Sequence, residues 1–249
     1  MDFHVFSWRR FIDHPIRKAT PDLRLFKRLE RNCSTDPKRT AQIVKPAVLA
    51  MASLKGGSGK TTVGLHLAVA AGEAGLRTVV IDVDPQQASA KWGDVRATKG
   101  DTLPVISAMA ARLPQAVDTA SQLGAELVVV DTAAHAEGIL ASTIDVADLV
   151  LVPCRATVID LQHLGATAQL AELRGKNIAV FFNAVPTGFA DRHEAEKLVM
   201  DLGINLVPAC ISNLVAYTRA ITAGLGVTEF DPRGKAAAEI RTLLGEITE

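Results

Sequence analysis

The residues best suited to chemistry form a glycine-rich segment at positions 55–62, with the sequence KGGSGKTT. Glycines let backbone N–H groups turn inward around phosphate oxygens, and the N-terminus of a following helix adds partial positive charge. Within the segment, the ammonium of Lys60 can reach the β- and γ-phosphates, and the hydroxyl of Thr61 is placed to bind Mg²⁺. The residues predicted to bind a nucleoside triphosphate are Lys55, Gly56, Gly57, Ser58, Gly59, Lys60, Thr61 and Thr62.

Two other interpretations of this segment are weaker. A dinucleotide-binding fingerprint needs the spacing G-x-G-x-x-G, and Thr62 stands where its third glycine belongs. The other is a glycine-rich turn formed by chance. Here the glycines are followed by a lysine–threonine pair and lie between a predicted strand and a predicted helix, which a chance turn would not explain. The surrounding pattern therefore favours a phosphate-binding loop.

Carboxylates follow two of the predicted strands. Asp82 and Asp84 end the second strand, and their two-residue spacing puts both side chains on the same face, one inside the fold and one at its tip. Asp131 ends an apolar strand, where phosphate-loop ATPases hold Mg²⁺. The nearby His135 and Glu137 are interpreted as loop residues rather than as a catalytic base.

Strand and helix patterns alternate from residue 47 onward, and most of the strands are apolar on both faces. This order predicts an α/β fold with a doubly wound, mostly parallel sheet flanked by helices. Ligands of such sheets lie beyond the carboxyl ends of the strands, which is where the phosphate loop and the aspartates fall. The predicted strands are 47–53, 78–83, 103–106, 127–131, 149–153, 178–183 and 205–207, and the predicted helices are 60–75, 86–98, 112–123, 159–174, 191–202, 214–223 and 234–246.

Composition excludes several classes of protein. The 249-residue chain is 48% hydrophobic and 22% charged, as expected of a globular protein rather than a disordered or fibrous one. Its apolar stretches are far shorter than the roughly 18–20 residues that cross a bilayer. Cys33, Cys154 and Cys210 are too widely spaced for a disulfide framework or a C-x-x-C metal site, which fits a reducing cytoplasm.

The charge of the chain is divided between two segments. Residues 1–46 contain 11 lysines and arginines against 5 aspartates and glutamates, whereas residues 47–249 contain 16 against 22. We interpret the first segment, with predicted helices at 5–12 and 22–31, as a basic leader that is poorly ordered or an over-long start. The alternative is an arm that binds nucleic acid or a partner. Residues 47–249 would form the ATPase domain.

The lysine before the glycines points to a family. Leu54 replaces the first glycine of the usual phosphate loop and Lys55 follows it, which gives the pattern K-G-G-x-G-K-[ST]. This pattern resembles the deviant Walker-type P-loop of the ParA/MinD superfamily of ATPases. The sequence DVDPQ at residues 82–86 is similar to the first switch of the ParA branch. The resemblance covers about residues 47–247 and is greatest to short ParA-type plasmid and chromosome partition ATPases.

The resemblance implies roles for individual residues. Lys55 would reach across a dimer interface to the ATP phosphates of the second subunit, and Asp84 would orient the attacking water close to Mg²⁺; a helix N-cap is the alternative role of Asp84. Asn183 would hydrogen-bond adenine, with a turn-forming asparagine as the alternative, and Pro208 would lie in a loop that lines the base pocket. The implied catalytic residues are Lys55, Lys60 and Asp84, and the implied metal ligands are Thr61, Asp84 and Asp131.

The resemblance also implies a function. It predicts a Mg²⁺-dependent ATPase that forms a homodimer on binding ATP, binds DNA without sequence preference and positions a plasmid, a chromosome region or another cellular cargo. Hydrolysis would be slow until a ParB-like or cargo adaptor protein stimulates it, and the protein would be cytoplasmic and associated with the nucleoid. The candidate DNA contacts are Arg192, Arg219, Arg233, Lys235 and Arg241, for which an ordinary solvated face is the alternative.

Three alternative functions share the phosphate loop. A membrane-associated positioning ATPase of the MinD type would need a basic amphipathic C-terminal helix, whereas residues 243–249 (LLGEITE) are acidic. A small-molecule ATP-dependent synthetase of the same fold is open, although no separate substrate motif is visible. A regulator that binds ATP but barely hydrolyses it is the nearest competitor.

Overall fold

A computed structural model of the chain describes residues 45–100, 103–134, 136–186 and 192–248. The predicted helices at 5–12 and 22–31 and the residue His135 lie outside the described residues. The division of the chain into a basic leader and an ATPase domain therefore stays a prediction.

One parallel sheet runs through the described part of the chain. Its strands are β1 (Ala47–Met51), β2 (Thr78–Asp82), β3 (Val105–Ser107), β4 (Leu127–Asp131), β5 (Leu149–Cys154), β6 (Asn177–Val185) and β7 (Asn205–Ser212). They lie in the order β3-β2-β4-β1-β5-β6-β7, and each neighbouring pair is parallel. The strand order reverses at β1, so the predicted doubly wound fold is confirmed.

Helices cover both faces of this sheet. They are α1 (Lys60–Glu73), α2 (Ala88–Ala97), α3 (Leu113–Gln122), α4 (Glu137–Val146), α5 (Val158–Leu173), α6 (Arg192–Asp201), α7 (Val215–Thr222), α8 (Val227–Phe230) and α9 (Lys235–Thr248). Apolar residues of α1, α2, α7, α8 and α9 share one core, which we call the α1 layer, and those of α3 to α6 form the core on the other face. None of the helices in the described ranges is long and apolar enough to cross a membrane.

The central strand β1 shows why the sheet must be covered on both faces. All five of its residues are buried, which a strand flanked by helices on both sides requires. Leu49 and Met51 belong to the core of the α1 layer, whereas Val48 and Ala50 belong to the cores of the opposite face. Successive side chains of β1 thus point to opposite faces of the sheet. The strand ends at Met51, and the chain then continues into the glycine-rich segment.

The sequence analysis missed α4 and misplaced Glu137. The structure puts Glu137 in the first turn of this helix, whereas it was interpreted as a loop residue. The helix begins without a side-chain cap, because its N-cap residue is Ala136. A start signal of the Ser, Thr, Asp or Asn type was therefore absent from the sequence.

A buried histidine joins α1 to the C-terminal helices. The side chain of His66 is fully buried, and its Nδ1 accepts a hydrogen bond of 3.0 Å from the backbone N–H of Val227 at the start of α8. Its ring centroid lies 5.3 Å from that of Tyr217 on α7. Because Nδ1 is the acceptor, the imidazole is neutral with its proton on Nε2. Burial is the main cause that lowers the pKa of His66 to about 4.

Replacing His66 by Gln is expected to remove the part of the fall in stability between pH 7 and pH 5 that this buried histidine causes. The histidine of the unfolded chain takes up its proton near pH 6.5, whereas the folded chain resists protonation down to about pH 4. His66 therefore lowers the free energy of unfolding by about 2 kcal/mol between pH 7 and pH 5, a contribution that the variant lacks. The raised pKa of Asp131 contributes in the opposite direction, equally in both proteins. Urea unfolding of both proteins at the two pH values measures the difference.

The exposed His193 supplies the control for that experiment. The variant His193→Gln should keep the pH dependence of the unmodified protein. An equal change in the pH dependence of stability in both variants would show that the buried position of His66 does not cause the effect.

Candidate nucleotide-binding site

The glycine-rich segment connects the end of β1 to the start of α1, as its sequence predicted. Gly57 and Gly59 adopt positive φ values of 71° and 101°, in the left-handed region that glycine enters at little cost. Gly59 is the N-cap of the 14-residue helix α1, and no side chain caps this helix end. The first backbone N–H groups of α1 are therefore available to an anion.

Asn183 on β6 holds the loop from the side. Its Nδ2 donates a hydrogen bond of 2.6 Å to the backbone oxygen of Ser58, and the side chain is buried. A Cβ atom at Gly59 would lie 2.1 Å from this Nδ2, so only glycine fits there. The next residue, Ala184, has a φ of 53°, but Asn183 itself lies within the strand. The structure thus gives Asn183 a contact with the phosphate loop, and its contact with adenine stays a prediction.

Lys60 is a buried cation at the mouth of the loop. Its ammonium donates to the backbone oxygen of Lys55 at 3.3 Å. Burial lowers the pKa of Lys60, while the charges of Asp131 and Asp84 oppose that effect. The three side chains predicted to act on phosphate, metal and water are therefore electrostatic neighbours.

Asp131 is nearly inaccessible, with 1% of its surface exposed. Its Oδ2 accepts a hydrogen bond of 2.7 Å from the hydroxyl of Ser89, and its Oδ1 has no hydrogen-bond partner among the described residues. Burial raises the pKa of the Asp131 carboxyl to about 6, against the opposing effect of the Ser89 hydrogen bond and of the nearby Thr61 hydroxyl. A buried carboxylate oxygen left over in this way fits a hard cation such as Mg²⁺ or the water that the cation carries.

Asp82 differs from Asp84 and Asp131, because both of its carboxylate oxygens accept hydrogen bonds from the backbone. Its Oδ1 accepts from the backbone N–H of Asp84 at 2.9 Å, and its Oδ2 accepts from that of Ala90 at 3.0 Å. Both oxygens are thus used to fix the chain after β2. Asp84 lies beyond it, and its Oδ1 accepts from the backbone N–H of Gln86. The expected division into one inner and one outer aspartate is what the structure shows.

A cleft of about 220 Å³ opens where these elements meet. It is lined by Gly57, Gly59, Lys60, Thr61, Thr62, Asp84, Thr132 and Ala134. The structure therefore brings together five of the eight predicted loop residues and one predicted carboxylate, with Asp131 buried close to them. Lys55, Gly56 and Ser58 are not among the residues that line the cleft. Thr132, which the sequence analysis did not single out, donates its hydroxyl to the backbone oxygen of Met51 at 2.8 Å and ties β4 to the start of the loop.

Lys55 turns toward its own chain. Its ammonium lies 2.7 Å from the Oδ2 of Asp160, and their side chains are 29% and 3% exposed. Asp160 stands in the first turn of α5, where its backbone N–H donates to the hydroxyl of the N-cap residue Thr157 at 3.3 Å. The sequence analysis missed Asp160, although a threonine three residues before an acidic residue is a helix-start signal.

The prediction for Pro208 was wrong in its setting. Pro208 was expected in a loop after a strand at 205–207, but β7 continues to Ser212, so Pro208 lies inside the strand, where it is exposed. Its backbone oxygen accepts a hydrogen bond of 3.2 Å from Arg192. The weak apolar signal at the end of β7 made the strand look shorter than it is. The loop at its carboxyl end begins at Asn213.

The candidate DNA contacts divide between the two faces of the sheet. Arg192 lies on α6, where it pairs with Glu196, while the other four belong to the α1 layer. Arg241 donates to the backbone oxygen of Pro232 at 2.7 Å. All five candidates are exposed, and Lys235 lies 3.6 Å from Glu239.

Known proteins resemble this chain over most of its length. The family described as the CobQ/CobB/MinD/ParA nucleotide binding domain matches residues 49–244. A protein of Gloeobacter kilaueensis named Maintenance of carboxysome distribution protein A is 33% identical over 197 residues, which cover 78% of this chain and 88% of that protein. A protein of the same name from Halothiobacillus neapolitanus is 26% identical over 211 residues, with 82% of this chain and 97% of that protein covered.

Solved structures share the fold. The cell division ATPase MinD of Pyrococcus furiosus superposes with a TM-score of 0.64 at 19% identity, covering 81% of this chain and 98% of its own. An ATP complex of Cyanothece McdA gives a TM-score of 0.66 at 17% identity, with 81% of this chain and 95% of its own covered. At these identities the likeness concerns the fold.

The variant Gly59→Ala is expected to lower affinity for a non-hydrolysable ATP analogue by about tenfold or more. An alanine there must adopt a left-handed backbone and push Asn183 away, each of which costs about 1–2 kcal/mol. Gly75→Ala is the matched control, because its φ is also positive, its Cβ would meet nothing within 4 Å, and it lies outside the phosphate loop. Calorimetric titration compares them, and equal losses would contradict the role assigned to Asn183.

Proposed function

The chain belongs to the CobQ/CobB/MinD/ParA nucleotide-binding domain family, and we propose that it is a Mg²⁺-dependent ATPase whose ATP-bound dimer binds DNA and positions an intracellular cargo. The observation that carries the proposal is the cleft in which Lys60 and Thr61 meet Asp84, with Asp131 buried beside them. Relatives named for carboxysome distribution support a positioning role.

Each group of the cleft has a task in phosphoryl transfer. The amides of the loop and the ammonium of Lys60 hold the phosphates, and they are fixed before the nucleotide arrives. Thr61 and the unpartnered oxygen of Asp131 would hold Mg²⁺, which neutralises charge on the phosphates when it is bound. Asp84, at the rim of the cleft, would orient the attacking water.

Lys55 completes the site only in a dimer. Its ammonium is paired with Asp160, and Lys55 is not among the residues that line the cleft. We propose that in the ATP-bound dimer this ammonium moves to the phosphates of the second subunit. A cation added there stabilises charge that develops during transfer, so hydrolysis would require the dimer.

DNA binding is assigned to the α1 layer. Arg219 and Arg233 are exposed there, and neither forms an ion pair with another described residue. Unpaired guanidinium groups are suited to phosphates of the DNA backbone, which are bound without regard to sequence. A ParB-like protein or a cargo adaptor would then stimulate hydrolysis and release the DNA.

The alternative of a membrane-bound positioning ATPase is weakened by α9. The apolar side chains of this helix are already used in the core of the α1 layer, among them Ile240, Leu243 and Ile247. A helix that lies on a membrane must turn such a face toward the lipid. Binding of the described C-terminal helix to a membrane would therefore require it to leave the domain.

We expect the protein to bind duplex DNA of random sequence when ATP is present. With ADP or without nucleotide, we expect this binding to be weak. Because the contacts are to phosphates, affinity should fall steeply as salt is raised. The double variant Arg219→Ala/Arg233→Ala should bind more weakly with a smaller salt slope, whereas Arg192→Ala should behave like the unmodified protein. Fluorescence anisotropy across a salt series measures both, and equal binding in all three nucleotide states would contradict ATP gating.

Two further variants separate the steps of the ATPase cycle. Asp84→Ala should still bind ATP and should accumulate as a dimer, because the attacking water is no longer oriented. Lys55→Ala should bind ATP but hydrolyse it at least about tenfold more slowly, because a charge is missing from the shared site. Size-exclusion chromatography with light scattering and a phosphate-release assay measure these effects. Rapid turnover by Asp84→Ala would refute the role of that carboxylate.

A further inference from the structure

A serine hydroxyl lies beneath the carboxylate assigned to the metal. Ser89 stands in the first turn of α2, is fully buried, and donates to the Oδ2 of Asp131 at 2.7 Å. We propose that Ser89 is a positioning residue, which holds one oxygen of Asp131 so that the other oxygen is kept for Mg²⁺. This inference rests on the proposed function and names a residue outside the sequence motif.

The hydroxyl selects one orientation of the carboxylate. A carboxylate with two free oxygens can rotate about its bond to Cβ and present either of them. Here Oδ2 is bonded to Ser89, whereas Oδ1 is buried without a partner among the described residues. The rotation is therefore restrained before the metal arrives, which is how partners behind a metal ligand raise its affinity.

Ser89 can do this because the turn that carries it is itself fixed. The backbone N–H of the next residue, Ala90, donates to the Oδ2 of Asp82, and Asp82 is the register partner of Asp131 on the neighbouring strand. One turn of α2 thus contacts two adjacent carboxylates, one through its backbone and one through the Ser89 side chain. The N-cap residue Gln87, with a φ of 55°, brings the helix start into this position.

The far end of α2 is anchored as well. The buried guanidinium of Arg96 pairs with both carboxylate oxygens of Glu229 on α8, at 2.8 and 2.7 Å. A helix of ten residues held at both ends cannot easily slide or rotate. The position of the Ser89 hydroxyl is therefore set by the fold and does not depend on a bound nucleotide.

A purely structural role for Ser89 makes a different prediction from a positioning role. If the hydroxyl only satisfied a buried carboxylate, its removal would lower the melting temperature without changing how much Mg²⁺ strengthens nucleotide binding. The ratio of two affinities for a non-hydrolysable ATP analogue, measured with Mg²⁺ and with EDTA, separates the two roles. A positioning role requires this ratio to fall while the affinity in EDTA stays the same.

The test compares Ser89→Ala with the unmodified full-length protein by calorimetric titration of that analogue. We expect the ratio of affinities to fall about tenfold, the size of effect seen when a partner behind a metal ligand is removed. Thr228→Val is the matched control, because it removes a fully buried hydroxyl that has no hydrogen-bond partner in the described part of the chain. Its ratio should equal that of the unmodified protein.

Ser89→Cys keeps the test open if Ser89→Ala does not fold. A thiol fills nearly the same space but donates a hydrogen bond weakly, so the ratio should fall to an intermediate value. An unchanged ratio in a folded Ser89 variant would overturn the positioning role while leaving the proposed function intact. If Mg²⁺ did not strengthen nucleotide binding by the unmodified protein, the proposed metal site and this inference would both be wrong.

Discussion

The concentration of acidic side chains at the carboxyl edge of the sheet is the constraint on which the site depends. Asp82 and Asp131 are register partners on adjacent strands, so their carboxyl groups are forced together in a buried place. Taking ionised groups out of water costs several kcal/mol for each unless they are compensated. Backbone N–H groups compensate Asp82, while Ser89 and Lys60 compensate Asp131 in part. The remaining deficit is what a divalent cation would remove, so affinity for the metal follows from how the sheet is paired.

The same requirement connects the site to the C-terminal helices. Compensation of Asp82 and Asp131 comes from the first turn of α2, and the last turn of α2 is fixed by the ion pair of Arg96 with Glu229. The guanidinium also lies 5.2 Å from the ring of Trp92, which buries it against the core. A buried pair of this kind is worth little as stability but breaks at high cost. The packing of α2 against the C-terminal helices therefore helps to hold the two aspartates in place.

Sequence patterns predicted the parts of this protein that follow local rules. The phosphate loop combines glycines, a lysine and a helix start within eight residues. A buried strand can be recognised from its own run of apolar residues, without knowing which strand it pairs with. Asp160 and Ser89 were not found, because their roles depend on side chains that lie 105 and 42 residues away in the chain. Pro208 was misplaced for a related reason: edge strand β7 pairs with one neighbour only and carries a weaker apolar signal.

Lys55 is assigned to phosphoryl transfer by the proposed mechanism, but in the structure it pairs with Asp160 and does not line the cleft. Its ion pair with Asp160 is partly exposed on the lysine side, and such pairs contribute at most about 1 kcal/mol because water screens them. Asp160 is nearly buried, and the hydroxyl of Thr157 also donates to its Oδ2, so the carboxylate keeps a partner when Lys55 leaves. The phosphates of a nucleotide carry more negative charge than one carboxylate, so the pair can be broken when a second subunit presents them. A contact this weak is compatible with the proposed movement of Lys55 to the phosphates of a second subunit.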